Sequence, residues 1–214
     1  MTTDLFPIAR PAHDPGGRSK PRWPPGSIVT AKFSGTDDCY RDELSEIWNP
    51  DLPLVMFLMM NPSVAGVAHS DPTLIRTGTF ARSWGYGGQL IGNMHAYRAT
   101  DCRRLMDVSD PVGPNNDAAI LAMAARSDLV VLAYGQPPKP LRPRADRVIR
   151  MLADGGVRLT YLRLSQDGTP QHPLYLPGSL RPVNYTLADS GARLNGNARM
   201  LEVIANSRAL REAS

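Results

Sequence analysis

The run LVMFLMM, residues 54–60, most limits what this chain can fold into. It is apolar without interruption and then stops at Asn61-Pro62-Ser63. A strand with one wet face alternates apolar and polar residues, whereas a strand covered on both faces need not. The run is also of strand length and short for a helix. It therefore predicts an inner strand of a mainly parallel sheet with helices on both faces.

The neighbouring segments fit that frame. SIVTAKFSG, 27–35, reads as a first strand, and YRDELSEIW, 40–48, as either a strand or a short helix. Asn49-Pro50-Asp51 turns the chain. Strands are expected at 89–97 (QLIGNMHAY), 128–135 (DLVVLAYG) and 157–164 (VRLTYLRL). Helices are expected at 73–85, 114–127 and 143–156. The first has Ser70 or Asp71 as its cap, Pro72 in its first turn and Gly85 at its end. The second has Asn115 or Asn116 near its start. Residues 170–183 form a proline-punctuated loop, and 197–214 end helical. Alternating strands and helices imply right-handed crossovers. The expected architecture is α/β, a three-layer sandwich around a mainly parallel sheet of four to five strands. Residues 1–27, rich in Pro and Gly, read as a flexible arm, and 28–214 as a single α/β domain.

A chain of 214 residues suits one domain, and 42% hydrophobic residues supply a core. No apolar run approaches the ~20 residues of a membrane span. The N-terminus lacks the apolar core of a secretory signal. Two cysteines, Cys39 and Cys102, argue against a disulfide framework and fit a cytoplasmic setting. A formal net charge of +4 leans mildly toward an anionic partner such as nucleic acid.

Ligands of open α/β sheets bind outside the carboxyl ends of the strands. The residues expected there are Asn61 and Ser63; Asn93, His95, Tyr97 and Arg98; Tyr134 and Gly135; and His172 with Pro173. Each has a plain alternative. Asn-Pro-Ser is a turn, or a stiffly held amide that positions water. Asp71 is a helix cap, a base, or both. Asn93 pairs with local backbone, or reads an amide-like edge. His172 packs in its loop, or donates to developing negative charge. Phe80, Trp84 and Tyr97 are core, or one stacks on a flat ligand. Arg76, Arg82 and Arg98 are surface groups or meet phosphate. GYGG, 85–88, is neither a Walker loop nor a dinucleotide fingerprint, and no His/Cys spacing suits a metal.

The ordered set MNPS, SDPT, WGYGG, N-x-x-A-x-R-A-T, P-x-G-P-x-N-D, A-x-G and DGxPxHPLYL spans about residues 40–180. It resembles an uncharacterised family of bacterial and phage proteins with no assigned function. More distantly, the chain resembles the uracil-DNA glycosylase superfamily. That resemblance implies a glycosylase-like fold and N-glycosidic hydrolysis of a damaged or modified base flipped out of DNA. Asn61 would orient water, Asn93 would read the base and His172 would support its departure. Phe80 or Trp84 would stack, with Tyr134-Gly135 at a further strand end. Two departures matter. An amide at Asn61 replaces the acid of the most active branch, so turnover is slow unless Asp71 serves as base. Leu174-Tyr175 replaces the Ser-Pro of the usual His loop. The expected catalytic set is Asn61, His172 and Asp71. The expected binding set is Asn93, Ser63, Phe80, Trp84, Tyr97, Arg98, Tyr134 and Gly135. The expected partner is DNA or a nucleotide, met by a monomer without metal or other cofactor and away from membranes. The alternatives are a reader of a modified base that does not cleave it, and a hydrolase of modified nucleotides.

Overall fold

Buried apolar strands cover their backbone polar groups by pairing, and all described strands of this chain do so in one sheet. The computed structural model describes residues 13–17 and 20–186. In chain order the main elements are β1 (Ile28–Ser34), β2 (Tyr40–Ile47), β3 (Leu54–Met59), α1 (Pro72–Ser83), β4 (Gly88–Asn93) and α2 (Asn116–Ala125). They continue with β5 (Leu129–Leu132), α3 (Arg142–Asp154), β6 (Leu159–Tyr161) and β7 (Val183–Asn184). The sheet order is β1-β2-β4-β3-β5-β6-β7.

The inner four strands, β4-β3-β5-β6, are parallel. The outer ones are not. β2 runs antiparallel to β4, β1 to β2, and β7 to β6. The sheet is thus seven-stranded and mixed, larger than the four to five strands expected. The difference lies at the edges. Residues 40–47 are a strand, settling the choice the sequence left open, and they carry the 28–34 strand as a hairpin partner. The two-residue β7 is too short to announce itself by pattern.

β3 is the centre. Val55, Met56, Phe57 and Leu58 are each fully buried. Val55 and Phe57 face one core with Leu74, Phe80 and Ala81 of α1. Met56 and Leu58 face the other, with Met123 of α2 and Val148, Ile149 and Leu152 of α3. Each such side chain contributes about 1.5–3 kcal/mol of burial. Right-handed crossovers account for this division. The chain leaves β3 through α1 to β4 on one side, then returns through α2 to β5 on the other. Reversing direction changes the face that the helix covers. It also makes the carboxyl end of β3 a topological switch point, where the connections part and leave a crevice.

The described part of the lead-in is tied to this domain. Trp23 Nε1 donates to Gly66 O at 2.9 Å, and Ser70 N to Pro21 O at 2.8 Å. Thr100 N donates to Pro15 O at 2.8 Å. The remainder of the expected arm (1–12, 18 and 19) and the expected terminal helix lie outside the described residues. Among the described residues no helix is long and apolar enough to cross a membrane.

Candidate active site

The crevice at the end of β3 is a cavity of about 500 Å³. β3 delivers Asn61 and Ser63 to it, β4 delivers Asn93, and β5 leads into Tyr134 and Gly135. The loop after β3 adds Asp71, and the loop after β6 adds His172. Residues far apart in sequence meet because each follows the carboxyl end of a central strand.

Asn61 is held with one polarity. Its Nδ2 donates to the carbonyls of Pro62 and Ala99. Oδ1 has no partner among the described residues, so the amide presents an acceptor. The Asn-Pro-Ser segment takes no regular turn and holds Asn61 as a positioned amide. Ser63 Oγ lies 2.9 Å from Thr100 Oγ1 at the rim.

Asp71 is the N-cap of α1. Its Oδ1 accepts from Leu74 N at 2.9 Å. The carboxylate also faces the cavity, where its charge acts on both Arg41 and His172. Cap and cavity roles coexist.

His172 caps the short turn Pro173–Tyr175, with Nδ1 accepting from Leu174 N at 3.4 Å. That contact favours the tautomer with the proton on Nε2. Burial pulls its pKa below the ordinary histidine value, and Asp71 opposes the shift. The ring is a neutral donor near pH 7. Gly135 makes room for it. Its φ is +68°, and a Cβ there would lie 3.1 Å from His172 Cβ.

Asn93 is 2% exposed. Its Oδ1 accepts from Arg41 Nη2 at 3.2 Å, while its buried Nδ2 has no partner. Asn116 sets its height, because Asn116 Nδ2 donates to the carbonyls of Asn93 and Met94 at 3.1 and 3.0 Å. Tyr134 is a buried phenol whose pKa burial raises, so it stays protonated.

Four expected binding residues lie elsewhere. Phe80 is 1% exposed and sits in the α1 core. Trp84 packs between Phe57 and Phe80, and its Nε1 donates to Leu180 O. Neither ring lines the cavity, so neither is placed to stack on a ligand there. Tyr97 packs edge-on against Tyr40 and His13. Arg98 donates to Asp38 O and lies over Phe33. β4 ends at Asn93, so Tyr97 and Arg98 are carried past the cavity by the following turn. His95 also lies off it, 2% exposed, with its pKa pulled down to about 4 by burial.

The sequence reading missed Arg41, Thr100 and Gln136, all of which line the cavity. Thr100 closes the N-x-x-A-x-R-A-T stretch without having been given a role, and Gln136 directly follows Tyr134-Gly135. Arg41 gave no such signal. It belongs to β2, whose antiparallel course brings its first residues to the carboxyl edge of β4.

The match to a family model starts at this same residue and ends on the His172 loop, covering residues 41–174. The chain belongs to the family described as "Protein of unknown function (DUF1643)". The matched segment, well over half the chain, contains Asn61, Asp71, Asn93 and His172. No curated protein matches the chain, and no solved structure does.

Proposed function

We propose that the cavity is the active site of a DNA glycosylase-like hydrolase that cleaves the N-glycosidic bond of a damaged or modified base. One observation carries the reading: Asn61, Asp71, Asn93 and His172 line one cavity at the switch point of the parallel sheet. The sequence resemblance to the uracil-DNA glycosylase superfamily points to Asn61, Asn93 and His172 in the same chain order.

In this mechanism the nucleotide leaves the base stack and enters the cavity. Asn61 Oδ1 accepts a hydrogen bond from a water and aims its oxygen at the sugar C1′. As the C1′–N bond breaks, its electron pair leaves with the base. The water oxygen bonds to C1′, and its proton passes to Asp71 or to solvent. His172 Nε2–H donates to the departing base, and Asn93 holds the base edge. A single well-placed donor to developing charge supplies ~3 kcal/mol, or roughly a hundredfold in rate.

The test is release of base from single- and double-stranded oligonucleotides that carry uracil, hypoxanthine, xanthine or modified pyrimidines. Alkaline cleavage reports the abasic sites. We expect release from at least one substrate, with a loss of about a hundredfold or more in Asn61→Ala and in His172→Ala. Tight binding with no release from any member of the panel would replace the hydrolase with a reader of the same base.

A further inference from the structure

The peptide group between Ala99 and Thr100 is held from both sides. Its carbonyl, Ala99 O, accepts from Asn61 Nδ2. Its N–H, on Thr100, donates to Pro15 O at 2.8 Å. A peptide group is planar, so the lead-in at Pro15 fixes the orientation of the carbonyl that holds Asn61. The two bonds also reinforce each other, because a hydrogen bond from the N–H polarises the carbonyl. Ala99 N in turn donates to Pro62 O at 2.8 Å, beside Asn61.

The Thr100 side chain repeats the arrangement. Its Oγ1 donates to Gly16 O and lies 2.9 Å from Ser63 Oγ. A hydroxyl has one proton, and that of Thr100 is committed to Gly16. Ser63 is therefore the donor to Thr100, which leaves Ser63 Oγ only lone pairs to offer. Gly17 lets the two segments meet. Its φ is +100°, and a Cβ on it would lie 2.8 Å from Thr100 Oγ1 and 3.0 Å from Val64 Cγ1. Gly17 also lines the cavity. The stretch is itself anchored: Pro15 is buried, Gly16 N donates to Asp14 Oδ1 at 2.9 Å, and His13 N donates to Asp37 O at 3.0 Å. All of these lead-in residues precede the matched segment 41–174.

We propose that Pro15–Gly17 of the lead-in is a positioning element of the site, which holds the Ala99–Thr100 peptide and through it keeps Asn61 Oδ1 turned to the cavity. Without that hold the peptide is free to rotate and Asn61 Nδ2 loses one of its two carbonyls. The amide then flips, and a donor stands where the acceptor for water stood. The inference rests on the proposed function in taking Asn61 as a working group of the site. The positioning itself does not require cleavage.

The experiment is NMR of the full chain labelled with nitrogen-15, following solvent exchange of the Asn61 side-chain amide. Its signal is identified by its loss in Asn61→Asp. In the parent we expect exchange at least about tenfold slower than in exposed side-chain amides. Gly17→Ala pushes the lead-in off Thr100, and Thr100→Val removes the hydroxyl that bonds Gly16 at nearly constant size. Each should speed exchange by about tenfold, the worth of one hydrogen bond. Thr100→Ser keeps the hydroxyl and should keep the parental rate. Where base release is measured, the first two variants should lower kcat by about tenfold with KM unchanged, because Asn61 acts on the water and not on the bound base. A merely structural lead-in would lower the melting temperature and leave the Asn61 signal alone. Circular dichroism shows which variants fold, and either one alone suffices. Fast exchange of Asn61 in the parent, parental exchange in a folded Gly17→Ala or Thr100→Val, or a parental kcat in a variant whose exchange has quickened would overturn the proposal. So would Thr100→Ser behaving as Thr100→Val. No base release by the parent, with the coupling to Asn61 intact, sinks the hydrolase reading but not this one. Base release with an Asn61 signal that neither variant moves does the reverse.

Discussion

At the residue scale, the site is built from amides and rings whose polarity is set by their neighbours. Asn61 turns its oxygen to the cavity because two carbonyls hold its nitrogen. His172 is kept neutral by burial. His95 obeys the same physics more strongly, outside the cavity, with a pKa near 4. Its folded value is below its unfolded one, so the unfolded chain binds more protons between pH 6.5 and 4. Stability is therefore unaffected by His95 above about pH 6.5 and falls as pH drops through that window. The full loss is on the order of 3 kcal/mol, from 1.36 kcal/mol per pKa unit. Melting temperature followed from pH 7 to 4 should drop less in His95→Gln than in the parent. Identical slopes would mean that other groups set the acid limit.

At the element scale, α1 is tied to the chemistry through its N-cap residue. Asp71 caps the helix and faces the cavity, and two substitutions separate these roles. Asn caps about as well as Asp, so Asp71→Asn should melt within a few tenths of a kcal/mol of the parent. Asp71→Ala should lose about 1 kcal/mol. If the carboxylate takes the water's proton, both variants slow base release. If it serves only as a cap, Asp71→Asn releases base at the parental rate. The β1–β2 hairpin is a second element with a functional consequence, because its bulge decides which face Arg41 takes.

At the scale of the whole molecule, one buried carboxylate joins the lead-in, α1 and two strands. Glu46 of β2 is fully buried. It accepts from Ser27 Oγ at 2.7 Å, Arg82 Nη2 at 2.9 Å and Gln89 Nε2 at 2.6 Å. Arg82 also lies over the Trp48 ring, its guanidinium carbon 3.7 Å from the centroid. Replacing Glu46 by Ala takes the shared acceptor away from three donors, one of them cationic. Denaturant unfolding should show a loss of roughly 3 kcal/mol or more. A loss below 1 kcal/mol would mean that water replaces the carboxylate freely. This junction is distant in role from the cavity, yet it fixes the hairpin that carries Arg41.

The sequence by itself determined the inner strands and the three helices, because burial on both faces and helical periodicity are local patterns. LVMFLMM marked β3, and the polar and glycine residues at or after the end of each central strand marked Asn61, Asn93, Gly135 and His172, since a parallel sheet gathers its carboxyl ends at one edge. Asp71 was legible as a cap for the same local reason. Only the tertiary structure decided the rest. Phe80 and Trp84 look the same in sequence whether they stack on a ligand or fill the core, and packing against Phe57 chose the core. Arg41 reached the cavity through an antiparallel edge strand and a one-residue bulge. Both depend on which strand lies next to which, and no stretch of residues records that by itself.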